Sequence, residues 1–596
     1  MLRIFSNTFV MYLNRTLAVG SNTIKRTKNL LTMQQNSILN AAFLLILIVL
    51  VTKFTGLIFN SLSIGFVGAD AYNEFVFAAN IPEIISASIL LGAISASVIP
   101  TLVQAREEEG HNRFLSVLNT LINGSLVLFA VIAVFIAIFA GELMPWLIDH
   151  VLKPVEPPTE EQLDRIVLML RVLLIPQVIL GVSTYISSSL NVMQRFVVPQ
   201  LAPLFYNFGR ILAVVLLVPV FGQNPWVLVY GTLIGAIFHL LIQIPLMRHL
   251  NIKYIPTFKP KDKYFKNILV IALPRVFGLS AEQVAIGVDR LIAFGLIGNS
   301  LAAYELAIRL VAIPMSLFGL TFSTASFPII SKAYIQKDYE LFRNTFTRVL
   351  NQILFLSFPI TIVLIVLRLP ITRLFYGIFG NSFTWDETRM VAWVVMFFAF
   401  GLTFEALRSL VFKTYYAVNN SIVPLISAVF VVVVGITTGI LFTNYFSHFE
   451  TFSFFSLSFE PDYFFSRGTG KAGVGGLALS ASLVYTLEFF GLLIYLNYKY
   501  LRIRLTELTF PIAKKIIISV VTAFLTYMLY TLYNDVLDTS KTGQIFILTS
   551  TTVMASFLFY FWLSFFTGVQ EIDMIIRIFK RLKYRNGKFG KNSTSS

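Results

Sequence analysis

Ile94-Ser-Ala-Ser-Val-Ile-Pro100-Thr-Leu-Val-Gln-Ala105 lines up with Phe322-Ser-Thr-Ala-Ser-Phe-Pro328-Ile-Ile-Ser-Lys-Ala333, with Ser95 on Ser323 and Pro100 on Pro328. A second pair stands at nearly the same offset: the polar turn from Arg195 to Pro199 and the one from Asn420 to Pro424. Both pairs close or open long apolar runs, so the chain reads as a duplication. Chance likeness between apolar sequences is the competing explanation, and two matches at nearly equal offsets favour the duplication. Each half holds six membrane spans. Six crossings return the chain to its starting side, so the halves form a parallel repeat with a cavity expected between two lobes.

Composition agrees with a membrane chain. Of 596 residues 56% are hydrophobic and only 13% charged, with 58 Phe and a mean hydropathy of +0.77. Soluble domains carry roughly a quarter charged residues, so a soluble enzyme, a nucleic-acid binder and a disordered chain are excluded as classes. The chain lacks cysteine, and its five His are scattered, which leaves no thiolate chemistry and no metal-ligand spacing. A P-loop is absent too, so no cofactor is expected. Transport driven by the membrane potential or an ion gradient, the ion unidentified, is the default.

A helix needs about 20 mainly apolar residues to cross the hydrocarbon core. Fourteen runs qualify, near 38–64, 73–102, 114–141, 163–191, 197–221, 226–247, 267–296, 301–331, 345–368, 390–415, 421–443, 473–497, 509–533 and 543–567. The expected fold is therefore an all-α polytopic membrane protein. It has a basic N-terminal segment (1–37), an N-lobe (38–250), a C-lobe (264–500) with an insertion at 445–472, a helical hairpin (505–568) and a basic tail (569–596). Lys and Arg concentrate in alternate loops: Arg106 and Arg113, Arg195, then Arg248 to Lys266, Lys332 to Arg348, Lys413, and Lys499 to Arg504. Positive charge orients such chains, so both termini are expected in the cytoplasm. The formal net charge of +16 is then mostly a topology signal, and membrane lipids rather than nucleic acid are the expected surroundings.

An ionisable residue inside a span costs at least about 2.5 kcal/mol, so it marks a wet cavity or a partner. Lys53 (span 1), Glu83 (span 2), Asp289 and Arg290 (span 7) and Arg309 (span 8) fall at similar depth in equivalent elements of the two lobes. Three are cations and two are acids. A dry ion-pair layer needs near-complete pairing, so the surplus cation points to an anion, contacted by Lys53 and Arg309. Structural pairs compete with that reading: Asp289 with Arg275 or Arg290, and Lys53 with Glu83. Arg210, Arg275, Glu282, Glu305, Glu405 and Arg408 are further candidates. Pro82, Pro100, Pro314 and Pro328 free backbone carbonyls at helix breaks suited to gating.

These residues carry a resemblance. Ala78-Ala-Asn-Ile-Pro82, Ser188 to Pro203, Val288-Asp289, Ala307 to Gly319 with Ser323 and Pro328, and Phe412 to Ala417 resemble the MurJ (MviN) family of lipid II flippases within the MATE-like exporter superfamily, over roughly residues 40–510. The resemblance implies fourteen helices in two lobes, alternating access, no enzymatic activity and a role in peptidoglycan biosynthesis. It implies an undecaprenyl-diphosphate-linked glycan as substrate, a bacterial cytoplasmic membrane as location, and envelope-synthesis proteins as possible partners. It also implies a lipid-tail groove at spans 13 and 14. Where the family carries Ser-Arg-x-x-Gly-x-x-Arg-Asp, this chain has Thr52-Lys53, Gly56 and Phe59-Asn60. Family Asp and Arg positions in span 2 fall on Asn73, Ser86 and Ala87, while Arg309 is kept. Two other readings follow from these departures: an exporter of another lipid-linked oligosaccharide or small molecule, and a non-transporting scaffold of envelope synthesis.

Overall fold

A computed structural model describes residues 38–93, 98–380, 382–448, 452–454, 457–459, 473–539 and 541–573. The basic segment 1–37, part of the repeat motif (94–97), most of the insertion and the tail beyond 573 lie outside the described residues.

The described residues are helical nearly throughout. In chain order the helices are α1 (Ile38–Leu62), α2 (Ala69–Ala93), α3 (Ile99–Glu109), α4 (His111–Trp146), α5 (Glu160–Val192), α6 (Val197–Phe221), α7 (Trp226–Leu241), α8 (Ile244–His249) and α9 (Lys263–Phe294). There follow α10 (Ser300–Met315), α11 (Thr321–Ile335), α12 (Tyr339–Val366), α13 (Arg368–Tyr376), α14 (Trp385–Ala417), α15 (Ile422–His448), α16 (Val474–Leu496), α17 (Leu505–Val536) and α18 (Thr542–Phe566). Among the described residues, twelve spans are long and apolar enough to cross a membrane. Two further long helices, α2 and α9, carry much of the charge discussed below, and the protein is an all-α, multi-pass membrane protein.

Local chemistry explains several boundaries. Thr159 and Gln162 form a capping box at the start of α5, and Thr384 and Glu387 form the same box at the start of α14. Each box satisfies two backbone donors that a helix start leaves open. Pro314 removes a backbone donor near the end of α10, and the helix passes through a π-turn, Ser316–Leu320, before continuing as α11. The turn lies close against α14, where a side chain on Gly319 would meet the Ala406 backbone at 2.7 Å. The expected insertion begins later than its sequence suggests, because α15 runs on to His448. Beyond it a short antiparallel hairpin pairs Phe452–Phe454 with Leu457–Phe459.

The apolar cores define a shape. We call the side bearing Arg106, Arg195, Arg248 and Lys332 the basic face. Toward the opposite face one core runs continuously through both lobes, from Leu57 to Ala79 and Val227 to Val229 on one side and from Leu301 to Val311 and Met390 to Leu402 on the other. Toward the basic face the cores are separate, one around Leu102, Phe114 and Leu190, the other around Phe342, Leu410 and Leu496. Polar contacts follow the same division. Across the opposite-face half, Val155 N–H donates to the Gly295 carbonyl (3.0 Å) and Ser382 N–H to the Gly65 carbonyl (3.4 Å). Ala302 N–H donates to Asn73 Oδ1 (3.0 Å), and Phe77 stacks on Phe294 with ring centroids 3.7 Å apart. At the basic face the start of α9 stays with the N-lobe, its Tyr264 hydroxyl donating to Glu108 and Glu109; apart from that helix end, the lobes are joined at the opposite face and part toward the basic face.

Candidate functional site: a cationic cavity between the lobes

A cavity of about 400 Å³ lies between the lobes, lined from α1, α2, α6, α9 and α10. Helical periodicity brings its walls together. Lys53, Gly56 and Asn60 share one face of α1; Tyr72, Val76, Ala79 and Glu83 one face of α2; Gln200, Pro203, Asn207 and Arg210 one face of α6; Glu305 and Arg309 one face of α10. Each series steps by three or four residues, the spacing that stacks side chains on a helix.

Arg290 is the centre of the charge arrangement. Its Nη1 binds Glu83 Oε2 at 3.0 Å, its Nε binds Glu305 Oε1, and Asn80 Oδ1 accepts from Nη1 at 3.5 Å. Asn80 in turn donates to the Gly287 carbonyl at 3.0 Å, tying α2 to α9. Glu305 is nearly inaccessible, and its second oxygen takes Arg309 Nη2 at 3.2 Å; the Arg309 side chain remains 49% exposed to the cavity. Buried carboxylate and guanidinium thus compensate one another, and Arg309 keeps donors free for a ligand.

Two further cations lack acidic partners among the described residues. Lys53 projects into the cavity with neither ion pair nor hydrogen bond among the described residues. Arg210 lies with its guanidinium 3.5 Å from the centroid of the Phe59 ring and 5.1 Å from that of Tyr206, held by cation–π attraction, and its Nε is buried without a hydrogen bond. Four cations therefore face two carboxylates, a surplus of two positive charges. Asn207 adds a polar wall, donating to the Thr52 carbonyl at 3.0 Å. Such a set can hold a dianion.

The expected residues are placed as follows. Lys53, Glu83, Arg290 and Arg309 meet in the cavity. Asp289 does not line it: one residue along α9 from Arg290, it turns into the C-lobe, where its Oδ2 accepts from the Tyr304 hydroxyl at 2.9 Å. Neither competing pairing of Lys53 with Glu83 nor of Asp289 with Arg290 forms; Glu83 takes Arg290 instead. The side chains of Arg275 and Glu282 lie outside the described residues. Arg408 is buried away from the cavity, paired with Glu488 at 3.0 Å. Pro82 lies inside α2, Pro100 in the first turn of α3, Pro314 just before the π-turn and Pro328 inside α11.

Sequence reasoning undervalued Arg210 and Glu305. The face that Gln200, Pro203, Asn207 and Arg210 share in α6 was the available signal. Arg210 also sits over Phe59 of α1, so α6 adds a cation to the wall that holds Lys53.

The comparisons with known proteins point to one family. A family model described as "Lipid II flippase MurJ" matches residues 64–459. The chain is 23% identical over 419 residues to "Probable lipid II flippase MurJ" of Buchnera aphidicola, covering 69% of this chain and 79% of that protein. It is 22% identical over 407 residues to "Lipid II flippase MurJ" of Burkholderia cenocepacia, covering 67% and 77%. Among solved structures, "Lipid II flippase MurJ, inward closed conformation" superposes with a TM-score of 0.68 at 19% identity, covering 88% of this chain and 98% of that one. An inward-facing MATE family transporter of the MOP superfamily gives 0.56 at 14%, covering 76% and 95%. The family match spans well over half of the chain: this protein belongs to the MurJ family of lipid II flippases.

Proposed function

We propose that this chain carries lipid II across a bacterial cytoplasmic membrane by alternating access through the inter-lobe cavity, with the basic face and both termini on the cytoplasmic side. One observation carries the reading: a cavity with two cations lacking acidic partners among the described residues and a half-exposed Arg309, in a molecule whose lobes are joined at the opposite face and part toward the basic face.

The chemistry follows from the charges. A polyprenyl diphosphate diester bears one negative charge on each phosphorus, which the surplus of two cations matches. Arg309 offers a planar fork for phosphate oxygens, while Lys53 acts as a point charge. Glu305 and Glu83 hold Arg290 in place, so the cavity keeps its shape before the headgroup arrives. Lipid II enters from the basic-face leaflet, and closure there with opening of the opposite-face contacts delivers it to the other leaflet. The membrane potential or an ion gradient drives the cycle.

Depletion of the protein in its own cells, with measurement of lipid II on each leaflet, tests this. Lipid II should accumulate on the inner leaflet, and a copy carrying Arg309→Ala should insert normally yet fail to relieve the accumulation. Unchanged inner-leaflet lipid II on depletion overturns the reading.

A further inference from the structure

The linker joining the lobes, residues 250–262, has a feature that transport through the cavity does not use. From Ile252 to Lys259 it has no regular secondary structure and lies along α4, clasped by two asparagines. Asn119 Nδ2 donates to the Lys253 carbonyl at 3.1 Å, and Ile255 N–H donates to Asn119 Oδ1 at 3.0 Å. Asn123 Nδ2 donates to the Thr257 carbonyl at 2.8 Å and Asn123 Oδ1 accepts from the Tyr254 hydroxyl at 2.6 Å. Phe258 closes over Gly124, where a side chain would meet its ring at 2.9 Å.

The length of α4 fixes the depth of this strap. Its 36 residues span about 54 Å at about 1.5 Å per residue, well beyond the hydrocarbon thickness of about 30 Å. The exposed apolar stretch of α4 begins at Val127 and ends with Trp146, about one core thickness. Asn119 and Asn123 lie one to two turns before Val127, on the basic-face side, which is headgroup level. At that level the asparagine pair, rather than a helix, fixes the strap's backbone to α4.

What the strap presents outward is both apolar and cationic. Tyr254, Ile255 and Phe258 are 52, 46 and 47% exposed. Lys253, Lys259, Lys261 and Lys266 are exposed around them, with no acidic partner among the described residues. Lys263 differs, being paired with Glu109 at 2.8 Å. Aromatic and aliphatic groups at the interface beside several lysines form a surface complementary to an anionic lipid headgroup.

We infer that the strap and the first turn of α9, Lys253–Lys266 together, bind anionic phospholipid at the basic-face leaflet, with Tyr254, Ile255 and Phe258 among the lipid headgroups and the four lysines on their phosphates. The inference concerns a different surface from the cavity and stands whether or not lipid II is the cargo.

Absence of native cysteine makes the test direct. The full chain carrying Ile255→Cys is labelled with a small environment-sensitive fluorophore and placed in nanodiscs of phosphatidylcholine and phosphatidylglycerol, with bromine on one lipid or the other. Brominated phosphatidylglycerol should quench about twofold or more better than an equal fraction of brominated phosphatidylcholine. A label at Val220→Cys, on the opposite-face end of α6, should show no preference. High salt should erase the preference in the same protein without any lysine change, and so should the Lys253→Gln/Lys259→Gln/Lys261→Gln/Lys266→Gln variant. Equal quenching by both lipids at low salt would overturn the inference. Quenching by neither, the outcome if water or a second copy covers the strap, would overturn it as well.

Discussion

Two places in this molecule bury charge among membrane helices, and they do so differently. In the C-terminal half, Lys515 of α17 is 1% exposed and pairs with Glu571 at 3.2 Å, with Asn351 of α12 accepting a second hydrogen bond at 2.6 Å. Arg408 and Glu488 form another buried pair across α14 and α16. Each of these cations has its acid, and the result is helix docking. Between the lobes the count does not balance: Arg290 and Arg309 share Glu83 and Glu305, while Lys53 and Arg210 have no carboxylate among the described residues. Matched charge holds structure, whereas unmatched charge next to open volume is ready for a ligand of opposite sign.

The comparison breaks if the two places respond alike to mutation. The largest effect is expected for Lys53→Ala/Arg210→Ala: each lost contact with a charged ligand is worth about 1.5–3 kcal/mol, so translocation should fall by about a hundredfold or more, while thermal unfolding in detergent stays near that of the parent. A clear loss of thermal stability would show that these cations are structural after all.

Glu571→Ala should do the reverse. Leaving Lys515 buried without its carboxylate costs up to about 3–5 kcal/mol, and adding Lys515→Met should return most of it, because an apolar isostere removes the orphaned charge. Thermal unfolding of the single and double variants checks both signs.

A smaller effect sharpens the cavity side. Phe59→Leu removes the ring beneath Arg210, an attraction worth about 0.5–2 kcal/mol. Transport should drop severalfold, with Phe59→Tyr close to the parent in the same assay.

The smallest effect lies at the basic face, where the Lys263 ammonium and the Tyr264 hydroxyl beside Glu109 hold its carboxyl below the usual carboxylate range. A depressed carboxylate stabilises the fold at pH values above its ordinary range and loses that contribution as the pH falls through its lowered value. Solvent screening keeps the effect small. Acid titration of thermal stability should therefore show a slightly shallower decline at low pH in Lys263→Gln than in the parent.

Much of the architecture could be read from the chain. Apolar run lengths gave the helices, since they are a property of single segments facing lipid. The depth of Lys53, Glu83, Arg290 and Arg309 was readable for the same reason. Rotation about the helix axis was not. Asp289 and Arg290 are neighbours at one depth, yet about 100° of helical turn separates their directions, and only packing decides which one meets Glu83. Arg210 was obscured differently: its role depends on Phe59 of another helix, a relation between distant segments that no local pattern encodes.

The central claim is that the unmatched cations belong to a path for lipid II. Purified protein in proteoliposomes loaded with labelled lipid II on one leaflet tests it most directly, by following the appearance of label on the other leaflet for the parent and for Arg309→Ala. The account predicts transfer well above protein-free vesicles for the parent and near that background for Arg309→Ala at equal incorporation. Transfer by the parent no faster than in protein-free vesicles, or equal transfer by both proteins, would contradict it.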